Sequence, residues 1–123
     1  MAVTPEGKIK QEVAEYLISI GCIPASQAAK TPAEAVGWFF NPVPGGYGVA
    51  GIHDCLGQYK SRFFSIEVKK PGRRGEKNRG MSAQQKHQYD AINKTRGFAM
   101  VFDGGEDDWR QLKRWVGLIN LHE

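Results

Sequence analysis

The sequence predicts an α/β fold, a mixed central β-sheet flanked by α-helices, and three observations predict it. Helical and strand-like hydrophobic periodicities alternate along the chain in the order α, β, β, β, α, β, α. An amphipathic helical pattern stands near each end, and the apolar run 98–102, bounded by glycines, lies between two helical segments as a buried strand does. The 123 residues, 41% hydrophobic and 24% charged, have the composition of one soluble domain with a single core spanning 1–123.

Taken in order, Ile9, Val13, Tyr16, Leu17 and Ile20 recur at helical spacing, and Pro5 after Thr4 suits a first turn, so 5–20 is predicted as a helix ended by Gly21. From Cys22 to Ala50, prolines at 24, 32, 42 and 44 and glycines at 45, 46 and 48 predict turns, with one short strand at 36–40. Runs 52–56 and 62–69 predict a β-hairpin around the polar segment 57–61. The segment 69–80, KKPGRRGEKNRG, predicts a mobile loop. Ser82 and Gln85 have capping-box spacing and open a helix that Arg96 and Gly97 close. Trp109, Leu112, Val116 and Ile119 mark the last helix, to whose packing Trp109 and Trp115 belong. Trp38, Phe39 and Phe40 are assigned to the core, with a subunit interface as the alternative.

Several function classes are disfavoured at once. No apolar run is long enough to span a bilayer and the N-terminus lacks a secretory h-region, so a cytoplasmic protein without membrane association is expected. Cys22 and Cys55 have no metal-ligand spacing and predict two reduced thiols. His53, His87 and His122 show no paired-ligand spacing either; adjacency to Asp54 alone brings His53 near the site discussed next. Residues 46–51 match GxGxxG, but a Pro-rich stretch precedes them and a strand follows, the reverse of a dinucleotide site, so no nucleotide cofactor is expected. The net charge of +4 favours a polyanionic partner without requiring one.

The chemistry concentrates on the hairpin. Alternation in 62–69 places Phe64, Ile66 and Val68 on a core face and Ser65, Glu67 and Lys69 on the other. Folding the hairpin brings Asp54 nearly opposite Glu67, since cross-strand partners lie roughly 4.5–5.5 Å apart. Two carboxylates that close repel, and a divalent cation resolves the conflict. Hard oxygen ligands with open positions suit Mg²⁺, with Mn²⁺ as substitute, and such an ion polarises a phosphodiester and lowers the pKa of an attacking water. Lys69 would orient that water or stabilise the charge at phosphorus. An exposed strand face also carries Glu and Lys as an ordinary surface ion pair worth little, and spacing alone does not separate the two readings.

Three segments carry a resemblance. Gly51-Ile52-His53-Asp54, Ile66-Glu67-Val68-Lys69 and Ser82-Ala83-Gln84-Gln85 resemble the motifs of the PD-(D/E)xK nuclease superfamily, most closely its VRR-NUC branch. That branch reads Gly-x-Pro-Asp, Glu-x-Lys and Ser-x-x-Gln after an N-terminal helix bearing another Glu. The resemblance runs from about Glu6 to Gly97, most of the chain. It implies a restriction-endonuclease-like core and metal-dependent DNA cleavage leaving a 5′-phosphate and a 3′-hydroxyl. It also implies Asp54, Glu67 and the main-chain carbonyl of Val68 as metal ligands, Lys69 as catalytic lysine and Gln85 as supporting polar residue. The N-terminal acid maps onto Glu6, with Glu12 as competitor. His53 stands where the branch has proline, which changes the backbone beside Asp54 and removes no ligand.

Lys70, Arg73, Arg74, Lys77 and Arg79 follow the proposed catalytic strand, opposed only by Glu76, and are assigned to DNA phosphates rather than to a merely solvated run. Small members of the resembled branch look like phage or bacterial proteins, with the bacterial cytoplasm as compartment. A homodimer presenting two sites to branched DNA, a Holliday junction or flap, is therefore the expected form. The alternatives are a non-catalytic DNA-binding module of the same fold and a restriction or genome-processing nuclease that needs a partner for specificity.

Overall fold

In the computed structural model, which describes residues 3–43 and 48–122, Thr4 opens helix α1 (Pro5–Ser19). Its hydroxyl accepts the Gly7 amide at 3.0 Å, which satisfies one of the donors a helix start leaves unpaired. Ile9, Val13 and Leu17 form the buried stripe of α1. Strand β1 (Cys22–Pro24) follows; the sequence did not predict it. A 3₁₀ segment, Ala25–Lys30, leads to β2 (Gly37–Phe40), close to the predicted 36–40. The turns predicted at 44–46, and positions 46 and 47 of the GxGxxG match, lie outside the described residues.

The hairpin of β3 (Cys55–Tyr59) and β4 (Arg62–Val68) corrects the expected loop. Gly57, Gln58 and Tyr59 are strand residues, Ile52 is not, and the connection is only Lys60–Ser61. Both turn residues have positive φ, 47° and 74°, which a two-residue hairpin turn needs to match strand twist. Helix α2 (Ala83–Lys94), β5 (Phe98–Phe102) and α3 (Glu106–Leu121) complete the chain. The five strands form one mixed sheet in the order β1-β2-β3-β4-β5, with parallel pairs β1–β2 and β4–β5 and antiparallel pairs between.

The stripes of α1 and α3 cover one sheet face, where Phe64, Ile66, Val68, Met100 and Phe102 meet Val13, Leu17, Leu112 and Val116. Trp109 packs edge-on against Phe102 at 4.8 Å, and Trp115 stacks on Phe98 at 4.7 Å. Cys22 and Cys55 are free, buried thiols, and burial pushes them up to about 11 and about 12. Helix α2 lies on the other face with no fully buried side chain of its own. Of the aromatic trio, only Phe39 joins the core; Trp38 is partly exposed, its ring 5.3 Å from that of Phe40. No helix among the described residues is long and apolar enough to cross a membrane.

The segment 69–80 is tied down rather than free, with a 3₁₀ turn at Lys77–Gly80. Asp108, 0% exposed in the first turn of α3, is the anchor. Its Oδ1 accepts from Arg74 Nη1 at 2.8 Å and Arg79 Nη2 at 3.0 Å, and its Oδ2 from the Asp103 amide at 2.8 Å. Arg73 pairs with Glu76 through two 2.9 Å hydrogen bonds. Glycine and charge content read locally suggest mobility; the countercharge comes from a helix start far along the chain.

Burial alone would raise the Asp108 pKa, but the Asp103 amide and the two guanidinium groups outweigh it and hold it below 3.8. A depressed acid stabilises the fold fully above its unfolded pKa and loses that contribution as pH falls through the native value. Asp108→Asn should therefore cost about 2–3 kcal/mol near neutrality, less than a fully buried pair because both arginines reach solvent. In urea titrations the gap between wild type and variant should close as pH drops below 3.8; a gap independent of pH would contradict the assignment.

Candidate active site

Asp54 precedes β3 and Glu67 lies near the end of β4. The observed register pairs Cys55 with Ile66, which places these two residues next to each other at the same end of the hairpin. Glu67 is only 3% exposed and Ser65 0%, so this face is not the open surface on which an ordinary Glu–Lys ion pair would lie. Lys69 Nζ lies 3.1 Å from Glu67 Oε2. The Val68 amide donates to Asp54 Oδ2 at 2.8 Å. Amide and carbonyl of one strand residue point to the same edge, so the Val68 carbonyl faces the Asp54 side as well.

Gln85 joins the cluster through the capping box. Its Oε1 accepts the Ser82 amide at 2.9 Å and Lys69 Nζ at 3.1 Å, while Ser82 Oγ accepts the Gln85 amide at 3.1 Å. Two donors at Oε1 fix the amide orientation and turn Nε2 toward Glu67 Oε2, 2.8 Å away. The side chain that closes the capping box of α2 therefore also contacts Lys69 and Glu67.

His53 is buried behind the carboxylates. Its Nε2 lies 2.9 Å from the Gln85 carbonyl, which can only accept, so Nε2 carries the proton and Nδ1 accepts the Ser65 hydroxyl at 2.6 Å. Burial lowers its pKa most, assisted by Lys69 and opposed by the Gln85 carbonyl and Asp54, and the ring is neutral at pH 7. His53 ties the backbone before Asp54 to both β4 and α2, which supplies by hydrogen bonding a rigidity that proline would supply covalently.

The electrostatics centre on Glu67. Burial first, then the charge of Asp54, push its carboxyl up to about 7 against the opposing pull of Lys69. Glu67 Oε1 is buried without a hydrogen-bond partner. An orphaned carboxylate oxygen in a low-dielectric site beside a second carboxylate is the donor set a hard divalent cation needs. Asp54, Glu67 and the Val68 carbonyl therefore fit such an ion. No group of three or more His, Cys, Asp or Glu side chains suited to a metal occurs among the described residues, so any such site combines side chains with main chain and water.

Glu6 and Glu12 have no described hydrogen bond or ion pair with Asp54, Glu67, Lys69 or Gln85. The α1 residue that reaches the site is Lys10, whose Nζ lies 3.2 Å from Asp54 Oδ1. Glu6, the residue the resemblance assigned, is one turn earlier on the same helix face as Lys10. Its charge is felt instead at Arg73, whose pKa is raised first by Glu76 and more weakly by Glu6. Of the basic residues after the strand, Arg73, Arg74 and Arg79 are in ion pairs and Lys70 and Lys77 have none among those described. Lys10, the Ser65 partner of His53 and the Asp108 anchor were not read from sequence. Asp108 had one available signal, three consecutive acids opening a helix.

No protein-family model matches the chain. No curated protein and no solved structure is significantly similar to it.

Proposed function

We propose that this chain is a divalent-metal-dependent endodeoxyribonuclease of the PD-(D/E)xK type, similar to the VRR-NUC branch, built on a restriction-endonuclease-like core. The observation that carries the reading is the buried, unpartnered Oε1 of Glu67 beside Asp54 and within one side chain of Lys69. Mg²⁺, or Mn²⁺ in its place, would be held by Asp54, Glu67 and the Val68 carbonyl, and when bound supplies Lewis-acid polarisation of a phosphodiester. Lys69 presents its ammonium at the carboxylate edge, where it can position a water and offset charge developing at phosphorus. Gln85 holds both Lys69 and Glu67 in one geometry, and His53 holds the Gln85 main chain. Lys70 and Lys77, exposed and unpaired among the described contacts, are available to DNA phosphates; Arg73 and Arg74 would have to exchange or share their carboxylate partners to join them. A homodimer acting on branched DNA is the form in which we place this activity, in a bacterial or phage setting.

Wild type and Asp54→Ala incubated with labelled four-way, flapped and linear DNA, with Mg²⁺ or EDTA, test the reading. Wild type should cut only with Mg²⁺, the variant not at all, and Mg²⁺ should raise the melting temperature of wild type alone. Tight DNA binding without cutting by either protein, Mn²⁺ included, would point to a non-catalytic module or a missing partner.

A further inference from the structure

Three of the large aliphatic side chains that the fold leaves in solvent, Val43, Val49 and Ile52 at 89, 68 and 39% exposure, border one groove. The groove has a volume of about 580 Å³, and Asp54, Ser82 and Gln84 also line it. It therefore opens directly beside the carboxylate cluster. Its wall is held firmly: Gly51 adopts φ +82°, and a Cβ there would lie 2.3 Å from the Gln84 carbonyl carbon and oxygen. The Ala50 carbonyl accepts from Gln88 Nε2 at 3.2 Å, a second fastening to α2.

Aliphatic walls beside a phosphodiester-cleaving site are unsuited to the backbone, which is charged throughout. They suit a nucleobase, whose faces are apolar and whose edges carry donors and acceptors. Gln84, whose side-chain amide has no partner among the described hydrogen bonds, and the Ser82 hydroxyl stand where such an edge would lie. A base inside a duplex has both faces stacked and its edge paired, so it must leave the stack to enter, and that costs least where it is already unpaired. Apolar side chains that hold or replace stacking are a general means of selecting distorted DNA.

Resting on the nuclease reading above, we propose that this groove receives an unpaired nucleobase adjoining the scissile phosphate, and that the protein thereby selects DNA with a splayed nucleotide at the cut. A preference for branched over linear DNA would then originate in the aliphatic wall of this groove next to Asp54.

The experiment uses two matched duplexes, one with a single-nucleotide bulge carrying 2-aminopurine and one fully paired with 2-aminopurine at the same position. Binding is read by fluorescence in EDTA and cutting in Mg²⁺, for wild type, Ile52→Asp and Val49→Asp. Both positions face solvent in the free protein, so the variants should fold, as circular dichroism and urea unfolding will verify. Wild-type binding should raise the emission of the bulged probe and leave that of the paired probe unchanged, and the bulged duplex should be cut roughly tenfold or more faster. Both differences should collapse in Ile52→Asp and Val49→Asp. Unchanged emission on wild-type binding, or a preference that survives in both variants, overturns the proposal. So would loss of self-association in the variants with emission unaltered, which assigns the aliphatic wall to a contact between copies. Raised emission without cleavage in Mg²⁺ or Mn²⁺ would instead support the groove and remove the nuclease reading.

Discussion

Lys69→Ala should lower the single-turnover cleavage rate by on the order of 10²–10³-fold at saturating Mg²⁺, the usual loss when one charge-stabilising donor leaves a preorganised site. The loss should fall on kcat with KM little changed, because Lys69 faces the carboxylate cluster rather than the exposed basic segment. The fold should survive. Glu67, deprived of its cation, takes up a proton more readily, and Gln85 keeps the Ser82 amide as a partner. Urea unfolding of the variant alongside its kinetics separates a chemical defect from a folding one. A variant that cuts at the wild-type rate would remove Lys69 from the chemistry and leave the Lys69–Glu67 pair as an ordinary ion pair.

Glu67→Gln should have two opposite effects. Mg²⁺-dependent cutting should disappear, and with it the stabilisation that Mg²⁺ gives wild type, because an amide is a poor ligand for a hard dication. In EDTA, however, the variant should be more stable than wild type by about 1–2 kcal/mol near pH 8. The cause is the buried carboxylate beside Asp54. An acid whose native pKa is raised destabilises the fold as pH climbs from its unfolded value to its native one, here from 4.5 to about 7. Wild type in EDTA should lose stability across that window and level off above it; the variant should show no such loss. Equal stability of the two proteins at pH 8 would mean that Lys69 and Gln85 already compensate Glu67 fully.

The hairpin shows why parts of the site were legible and parts were not. Alternation along 62–69 assigned Phe64, Ile66 and Val68 to the core and Glu67 to the opposite face, because a period of two leaves no other arrangement once one face is apolar. The turn was misplaced because Lys60 and Ser61 lack the Asn-Gly signature that normally marks two positive-φ residues, and Gly57 looked like a loop residue although it sits in β3. Strand β1 is three residues ending in proline, too short to show a period. The rest of the site is tertiary. Lys10 meets Asp54 across two elements, His53 finds its partners on β4 and α2, and Asp108 collects two arginines from a distant segment. Such pairings depend on how elements dock, and a local pattern carries no record of docking. Gln85 was legible as a cap from its place three residues after Ser82, while its placement beside Lys69 and Glu67 was expected only through the family resemblance.

The one-to-one pairing of β3 with β4 makes the site depend on a count as well as on side chains. Asp54 and Glu67 stand together because Cys55–Tyr59 pairs one to one with Arg62–Ile66, leaving the two acids as the next facing positions. One residue inserted within either paired stretch would shift the register and turn one carboxylate to the other sheet face, whereas one added at the turn only lengthens the loop. For an engineer, this hairpin is open to cargo at its tip and closed to insertion along its strands: an affinity tag or grafted loop at Lys60–Ser61 leaves the buried alignment in place, while a single residue added between Cys55 and Tyr59 would dismantle the site.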